Sequence, residues 1–459
     1  MKYDIAIIGA GPGGYTAAIR AAQLGAKVVI IEKENPGGVC LNCGCIPTKT
    51  ILAGITRLNE VKKFAKFGIE LEFQGFKYEK LFEKKEITVE KLRKSLVQLI
   101  KSWNIDIISG EASIISSEKL EVFSKEESLE IEFNYLIMAT GSKPAALPGL
   151  QADHSFILDT NDILALKELP ESVLIVGSGA NGVEWARIFE GAGKKVFLTE
   201  IAAVLMPMMD ISQSERLERL FKRSKIEYFT STGIENITDK KVKLTNGRVI
   251  EPDIIFLGAG REPNTNIKGL KELNIELKGK YIEIDNNLKT NIDNVYAIGD
   301  VTGKLQLAHV AAHQGIKAVE HILKKKEANI DYNIIPRVIY GEPEICSVGY
   351  TENQLIEKKI PFKKSIFPMS AVGKAFVEDK TEGFVKVLAY ENKILGVHLI
   401  ASGGDSIIQQ AAVAMSSNIT VEEFKETVFA HPSNSEALYE AFLGIDGQPI
   451  NLPPERIKI

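Results

Sequence analysis

The chain has 459 residues, a formal net charge of -4, 45% hydrophobic and 25% charged residues, a length that exceeds one ordinary core and sets an expectation of two to four domains. Ordinary composition excludes collagenous and disordered classes, and a slightly negative charge without a dense Lys/Arg stripe argues against nucleic acid as a partner. The apolar runs are strand-length and broken by Gly or charge, short of the roughly 20 residues of a membrane helix, and a strand pattern begins at Tyr3 with no leader pattern before it, so no membrane span and a cytoplasmic location are expected.

Residues 5–8 form an apolar strand run that enters Gly9-x-Gly11-x-x-Gly14, followed by a helical stretch and a second strand ending at Glu32. Such glycines supply a tight turn, a bare backbone for a pyrophosphate and close helix packing, while the acid accepts from ribose hydroxyls. The same arrangement returns as Gly177, Gly179, Gly182 and Glu200 after the strand run 173–176. In both copies the acid lies 23 residues after the first glycine. Two dinucleotide-binding units, and hence electron transfer between two dinucleotides, are expected. Glu200 favours NAD, because a carboxylate repels a 2′-phosphate and the following IAAVLMP contains no arginine.

Four cysteines in so long a chain are no secreted disulfide framework. Three of them, Cys40, Cys43 and Cys45, lie within six residues, which points to metal or redox chemistry. No fourth ligand lies nearby, so a metal site is not expected. Paired cysteines store two electrons as dithiol or disulfide. Spacing does not choose the pair: Cys40 and Cys43 sit on adjoining helical faces, whereas Cys40 and Cys45 need a distorted first turn.

Residues 105–115 and 120–133 alternate like a strand meander, and 135–138 form an apolar strand entering ATGS (139–142), after which the chain is expected to change domain. Residues 253–257 lead into GAGREPNT, 295–298 end at Gly299-Asp300, and 307–323 look helical. From about 335 the pattern changes to longer strands (384–388, 395–400) with helical stretches such as 406–415, a separate α+β domain. Near the end, His431 and Glu436 could form the base that thiol exchange needs, although a lone His-Pro is more often a turn. Alone, Lys49 and Glu184 would read as a surface ion pair, and His309 as a packed or hydrogen-bonded histidine.

CLNCGCIPTK (40–49) resembles the redox-active segment of the class I pyridine nucleotide-disulfide oxidoreductases, and among them the dihydrolipoamide-oxidising enzymes. The resemblance extends over nearly the whole chain through ATGS, GREPNT (260–265), YAIGD (296–300), LAH (307–309), EPEICSVGYTE (342–352) and HPSNSE (431–436). It implies an α/β fold of two Rossmann-like domains and an α+β dimerisation domain: an FAD domain at 1–142, an NAD domain at 143–266, a central segment at 267–334 that completes the FAD site, and an interface domain at 335–459. Cys40 would be the interchange thiol and Cys45 the thiolate facing the flavin. Lys49 and Glu184 would pair beside the reactive part of the ring, where a lysine favours the reduced form electrostatically. FAD would be held by Gly9, Gly11, Gly14, Glu32, Lys49, Ala112, Thr140, Gly141, Ser142 and Asp300, with Leu307, Ala308 and His309 opening a helix toward the ring. Gly260 and Arg261 would join the cofactor site, and Gly177, Gly179, Gly182 and Glu200 would hold NAD.

By the same resemblance His431, oriented by Glu436, is the acid/base and acts in the active site of the other subunit, so a homodimer is required. Partners would be a lipoyl-bearing acyltransferase or the glycine cleavage H protein. An NADPH-dependent reductase of the glutathione type is the rival, but its NADP-binding arginines are missing. Three departures stand out: Cys43, expected to be a small buried filler in place of an aliphatic residue; Ala180 and Asn181, in place of a bulky pair; and Phe429, where many relatives have a histidine.

Overall fold

The computed structural model describes residues 1–124 and 128–454. Residues 125–127 of the expected strands and 455–459 of the expected tail domain lie outside the described residues. The helices used below are α1 (Pro12–Gln23), α2 (Gly38–Cys43), α3 (Cys45–Val61), α4 (Tyr78–Ser102), α5 (Ala180–Gly191), α6 (Ile211–Arg223), α7 (Ala308–Lys324), α8 (Gly404–Ser416) and α9 (Glu436–Leu443).

The first sheet has seven strands and is centred on Lys2–Ile8, which pairs in parallel with Val28–Glu32 on one side and Ser128–Met138 on the other. Side chains alternate across a strand, so Ile5 and Ile7 pack with Ala17, Ala18 and Val319 beneath α1 and α7. Ala6 and Ile8 join Leu136 and Met138 on the opposite face. Burial of both faces explains the unbroken apolar runs in the sequence, each enclosed isoleucine contributing about 1.5–3 kcal/mol.

Two sequence expectations change here. The run 105–115 is two strands, Asp106–Ser109 in the parallel part and Glu111–Ser116 in the meander. They part at Gly110, where a side chain would meet the Phe123 carbonyl at 2.6 Å. Conversely, the expected strand 135–138 is the end of one long strand, Ser128–Met138. Its first half pairs with Lys119–Phe123 and its last residues with Val295–Ala297, which returns to this sheet from far along the chain.

The second sheet is five parallel strands in the order Ile226–Phe229, Lys195–Thr199, Ser172–Val176, Ile254–Leu257, Ile157–Leu158. Between the two sheets, Ser142–Pro144 runs antiparallel to Arg261–Pro263. The two glycine turns are built alike: a Cβ on Gly14 would lie 1.9 Å from the Gly9 carbonyl oxygen, and one on Gly182 would lie 1.9 Å from that of Gly177. Only glycine lets these helices start so close to their strands.

A five-stranded antiparallel sheet, Arg337–Ile339, Glu344–Gly349, Lys393–Ala401, Phe384–Tyr390, Lys363–Pro368, forms the tail and carries α8 and α9. The expected α/β class with a terminal α+β unit is borne out. A buried polar cluster ties this sheet to α6: Lys386 Nζ, fully enclosed, donates to Asp210 Oδ1 at 2.7 Å and Glu352 Oε2 at 2.5 Å. Gln213 meanwhile donates to the Cys346 and Leu399 carbonyls.

One stretch, Gly38–Val61, is long and apolar enough by composition to cross a membrane, which corrects the expectation that none reaches that length. It is two helices broken at Gly44. Its apolar face, Ile51, Leu52 and Ile55, is taken up by Trp185 and Ile188 of α5 and by Leu81 of α4.

Candidate active site

Three helix N-termini open into one cavity of about 2350 Å³, well above the about 300–1,000 Å³ of ordinary small-molecule pockets. Gly11 caps α1, Gly179 caps α5 and Leu307 caps α7, none with a capping side-chain hydrogen bond or an acid in the first turn. Their free N–H groups carry partial positive charge, which suits pyrophosphate and an anionic ring. The approach of α1 to α7 depends on Gly315, where a Cβ would stand 2.6 Å from the Gly13 carbonyl. This donor set and this volume fit two dinucleotides.

Gly9, Gly11, Glu32, Lys49, Ala112, Thr140, Gly141, Ser142, Gly179, Gly260, Arg261, Asp300, Leu307, Ala308 and His309 all line the cavity. Gly14, Gly177, Gly182 and Glu200 do not. The three glycines act behind the surface through close packing, and Glu200 is buried, accepting from Ser178 N, Ser178 Oγ and Ala202 N at 2.7–2.9 Å. Glu32 is placed the same way, accepting from Ala10 N at 2.7 Å and Glu34 N at 2.9 Å.

Sequence-distant motifs meet around Ser142. Its hydroxyl donates to Asp300 Oδ2 and accepts from Arg261 Nε at 2.7 Å, while Arg261 Nη2 donates to the Ser142 carbonyl at 2.7 Å. Asn264 clasps the same turn, exchanging bonds with Thr140 and Gly141 at 2.8–3.0 Å. Gln314 of α7 fixes the loop beside Asp300 by accepting from Gly299 N at 2.6 Å. His309 Nε2–H donates to the Pro336 carbonyl at 3.0 Å, the hydrogen-bonded role expected of it without chemistry.

Cys40 lies on α2 and Cys45 opens α3, across the break at Gly44 that distorts the turn between them. Both are thiols, and they are hydrogen-bonded to one another. The bond from Cys40, helped by the nearby Lys49 ammonium, holds Cys45 down at about 7 against the opposing effect of burial. The same bond together with burial drives Cys40 far above the ordinary thiol range. Cys45 is therefore the thiolate of the pair and Cys40 the thiol. Cys43 also touches the cavity, but it packs on the apolar cluster beneath α3, and burial raises its pKa. That environment suits a filler better than a nucleophile.

Lys49 follows Cys45 by one helical turn and so shares its face. Its ammonium bonds both oxygens of Glu184, at 2.9 and 2.8 Å, and lies 4.8 Å from the centre of the Tyr340 ring. Tyr340 N adds a third bond to Glu184 Oε1 at 3.1 Å.

His431 and Glu436 are paired at 2.8 Å but do not line this cavity, and His431 is exposed. A carboxylate at Nδ1 fixes the proton there and leaves Nε2 free outward. Although partial burial pulls the Glu436 pKa up, the bonds from His431 and Ser433 N bring it below its ordinary value. Phe429 is packed between Phe424 and Tyr439, with ring centres 5.7 and 5.3 Å away, which explains an aromatic there in structural terms. Asn264, Gln314 and Tyr340 were missed by sequence reasoning as supports of the site. Only Asn264 carried a signal, as part of GREPNT.

Residues 3–315 match the model of the pyridine nucleotide-disulphide oxidoreductases, and residues 335–442 match the dimerisation domain of the same group. The chain is 37% identical to the dihydrolipoyl dehydrogenase of Chlamydia trachomatis serovar D, with 99% of each chain covered. It is 35% identical to that of Bacillus subtilis strain 168, with 98% of this chain and 99% of the relative covered. Among solved structures, LpdA from Mycobacterium tuberculosis superposes with a TM-score of 0.89 at 26% identity, over 96% of this chain and 99% of that one. The HOCl-induced flavoprotein disulfide reductase RclA from Escherichia coli superposes with a TM-score of 0.85 at 26% identity, over the same shares.

Proposed function

This chain belongs to the pyridine nucleotide-disulphide oxidoreductase family, and we propose that within it the protein is a dihydrolipoyl dehydrogenase, oxidising protein-bound dihydrolipoamide and reducing NAD. Its cofactors are FAD and NAD, and the enzyme works as a homodimer, with the domain limits drawn from the sequence. The observation that carries the reading is the Cys40–Cys45 pair, asymmetric in its proton and set in one cavity with the Lys49–Glu184 pair and three uncapped helix ends.

In the catalytic cycle a substrate thiolate attacks the Cys40 sulfur of the oxidised pair, and the Cys40–Cys45 bond breaks with Cys45 leaving as thiolate. A thiol held at about 7 is a good leaving group at neutral pH. The second substrate thiol then displaces Cys40, closing the substrate disulfide and leaving two electrons on the cysteine pair. His431 of the other subunit accepts the proton of the attacking thiol through its outward nitrogen, and Glu436 steadies the imidazolium. Gly9, Gly11, Glu32, Ser142 and Asp300 line the part of the cavity that would hold FAD, and a bound flavin would supply the two-electron relay between the cysteine pair and NAD. Lys49 keeps positive charge at that point of the cavity, and Glu184 keeps Lys49 in place. Glu200, held behind the second glycine turn by Ser178 and Ala202, supports NAD over NADP through its negative charge rather than by lining the cavity.

The substrate-bearing partner is a lipoylated acyltransferase of a 2-oxoacid dehydrogenase complex or a glycine cleavage H protein. A panel crossing lipoamide and glutathione with NADH and NADPH tests the reading. Turnover with lipoamide and NADH is expected. Preference for glutathione with NADPH would instead favour the glutathione-reductase type.

A further inference from the structure

We propose that the Asn181 side chain recognises the carboxamide of the nicotinamide ring and thereby determines which pyridine dinucleotides the site accepts. The inference rests on the reading of the chain as an NAD-linked dehydrogenase. Asn181 is the second residue of α5 and stands one turn before Glu184, so the two share a helix face. Both line the cavity, together with Lys49. Asn181 is half-buried, and among the described residues its amide has no hydrogen-bond partner in the protein.

The neighbouring polar group is already committed. Glu184 is 1% exposed and accepts two bonds from Lys49 and one from Tyr340 N, out of about four acceptor positions on a carboxylate. Ala180, beside it on α5, and Met208 offer no strong donor, and Asn161 and Asn266, further amides that line the cavity, lie outside α5. On the helix turn that carries Glu184, Asn181 alone presents an unshared donor beside an unshared acceptor, the complement of another primary amide. Space is also provided. Gly179 faces open room, with nothing within 4 Å of the point where a Cβ would stand, and Ala180 is small and exposed, so no bulky group has to move aside. An aliphatic residue at position 181 would offer the ring surface contact only. Asparagine replaces that with an amide pair, one N–H···O bond in each direction.

Titration calorimetry on the FAD-loaded dimer tests this with NAD and with 3-acetylpyridine adenine dinucleotide, which keeps the ring carbonyl but lacks the amide N–H₂. The wild-type protein is expected to favour NAD by about tenfold, the discrimination available from one matched hydrogen bond. Asn181→Ile should bring the two affinities to within about twofold by weakening NAD. Asn181→Ala should do the same and provides the measurement if the isoleucine variant does not fold. A wild-type preference retained in a folded variant, or no preference in the wild type, overturns the inference while leaving the dehydrogenase reading intact. A wild-type protein that binds NADP and not NAD overturns both.

Discussion

Lys49 and Glu184 lie 135 positions apart in the chain, yet the lysine ammonium sits 2.8 Å from the carboxylate and pins the helix after the cysteines to the helix of the second glycine turn. Glu184 is 1% exposed, whereas about a third of the Lys49 side chain remains in water. Lys49→Met leaves a buried carboxylate with only a backbone partner. It should cost about 2 kcal/mol, below the full cost of breaking an enclosed pair because of that solvent access. Thermal unfolding measures it, and Lys49→Met combined with Glu184→Gln should recover part of the loss. Equal melting temperatures for wild type and Lys49→Met would contradict the role given to the pair.

The cysteine pair makes a pH prediction. In the reduced protein the first proton leaves Cys45 near pH 7, so its thiolate, and its alkylation by iodoacetamide, should grow as pH rises through that value. Cys40→Ala removes the hydrogen bond that is the largest cause of the lowering, and the curve should move upward toward the ordinary thiol value of 9.0. Peptide mapping identifies the modified residue. Coincident curves in the two proteins would rule out the Cys40 bond as the cause.

His431 does not reach the cavity of its own chain, so catalysis should be shared across the dimer. His431→Ala and Cys45→Ser homodimers should both be inactive with lipoamide. A hybrid of the two restores one complete site of its pair, since one chain supplies the cysteines and the other the histidine. Purified hybrids that stay inactive would refute the shared site.

Lys386 predicts a stability effect away from the chemistry. It is fully enclosed between Asp210 and Glu352. Lys386→Met strands a buried carboxylate and should cost about 3–5 kcal/mol, with Asp210→Asn as a partial rescue. Burial works against the Asp210 charge, but the positive charge of His398, the Lys386 ammonium and the Glu352 N–H hold its pKa at about 2, while burial pushes the pKa of His398 itself down. A lowered carboxyl stabilises above its unfolded value of 3.8 and loses that stabilisation as pH falls toward 2. Denaturant unfolding of Asp210→Asn should thus fall less steeply across that acid range than wild type.

Both glycine turns and their acids were legible because each is local: strand, turn, helix and second strand follow within one short stretch of chain. The cysteine pairing was not, because the break at Gly44 that brings Cys45 against Cys40 leaves no periodic trace. The split at Gly110 was hidden for a related reason, since alternation continues through it while the chain changes partner strands. Tyr340 and Gln314 escaped notice because what they hold is backbone or a side chain far away in sequence. Lys386 sits in an apolar strand, and nothing local announces the carboxylates that enclose it.

The return of Val295–Ala297 to the edge of Ser128–Met138 bears on how the protein comes off the ribosome. The amino-terminal sheet has its nucleotide turn early, but Leu136, Ile137 and Met138, flanked on one side by Ala6, Ile7 and Ile8, wait for their second neighbour until the entire second nucleotide unit has been synthesised. A nascent chain halted before residue 295 carries a bare, greasy strand margin. Truncations ending there should aggregate, although everything needed to bind the first dinucleotide's phosphates has already been made.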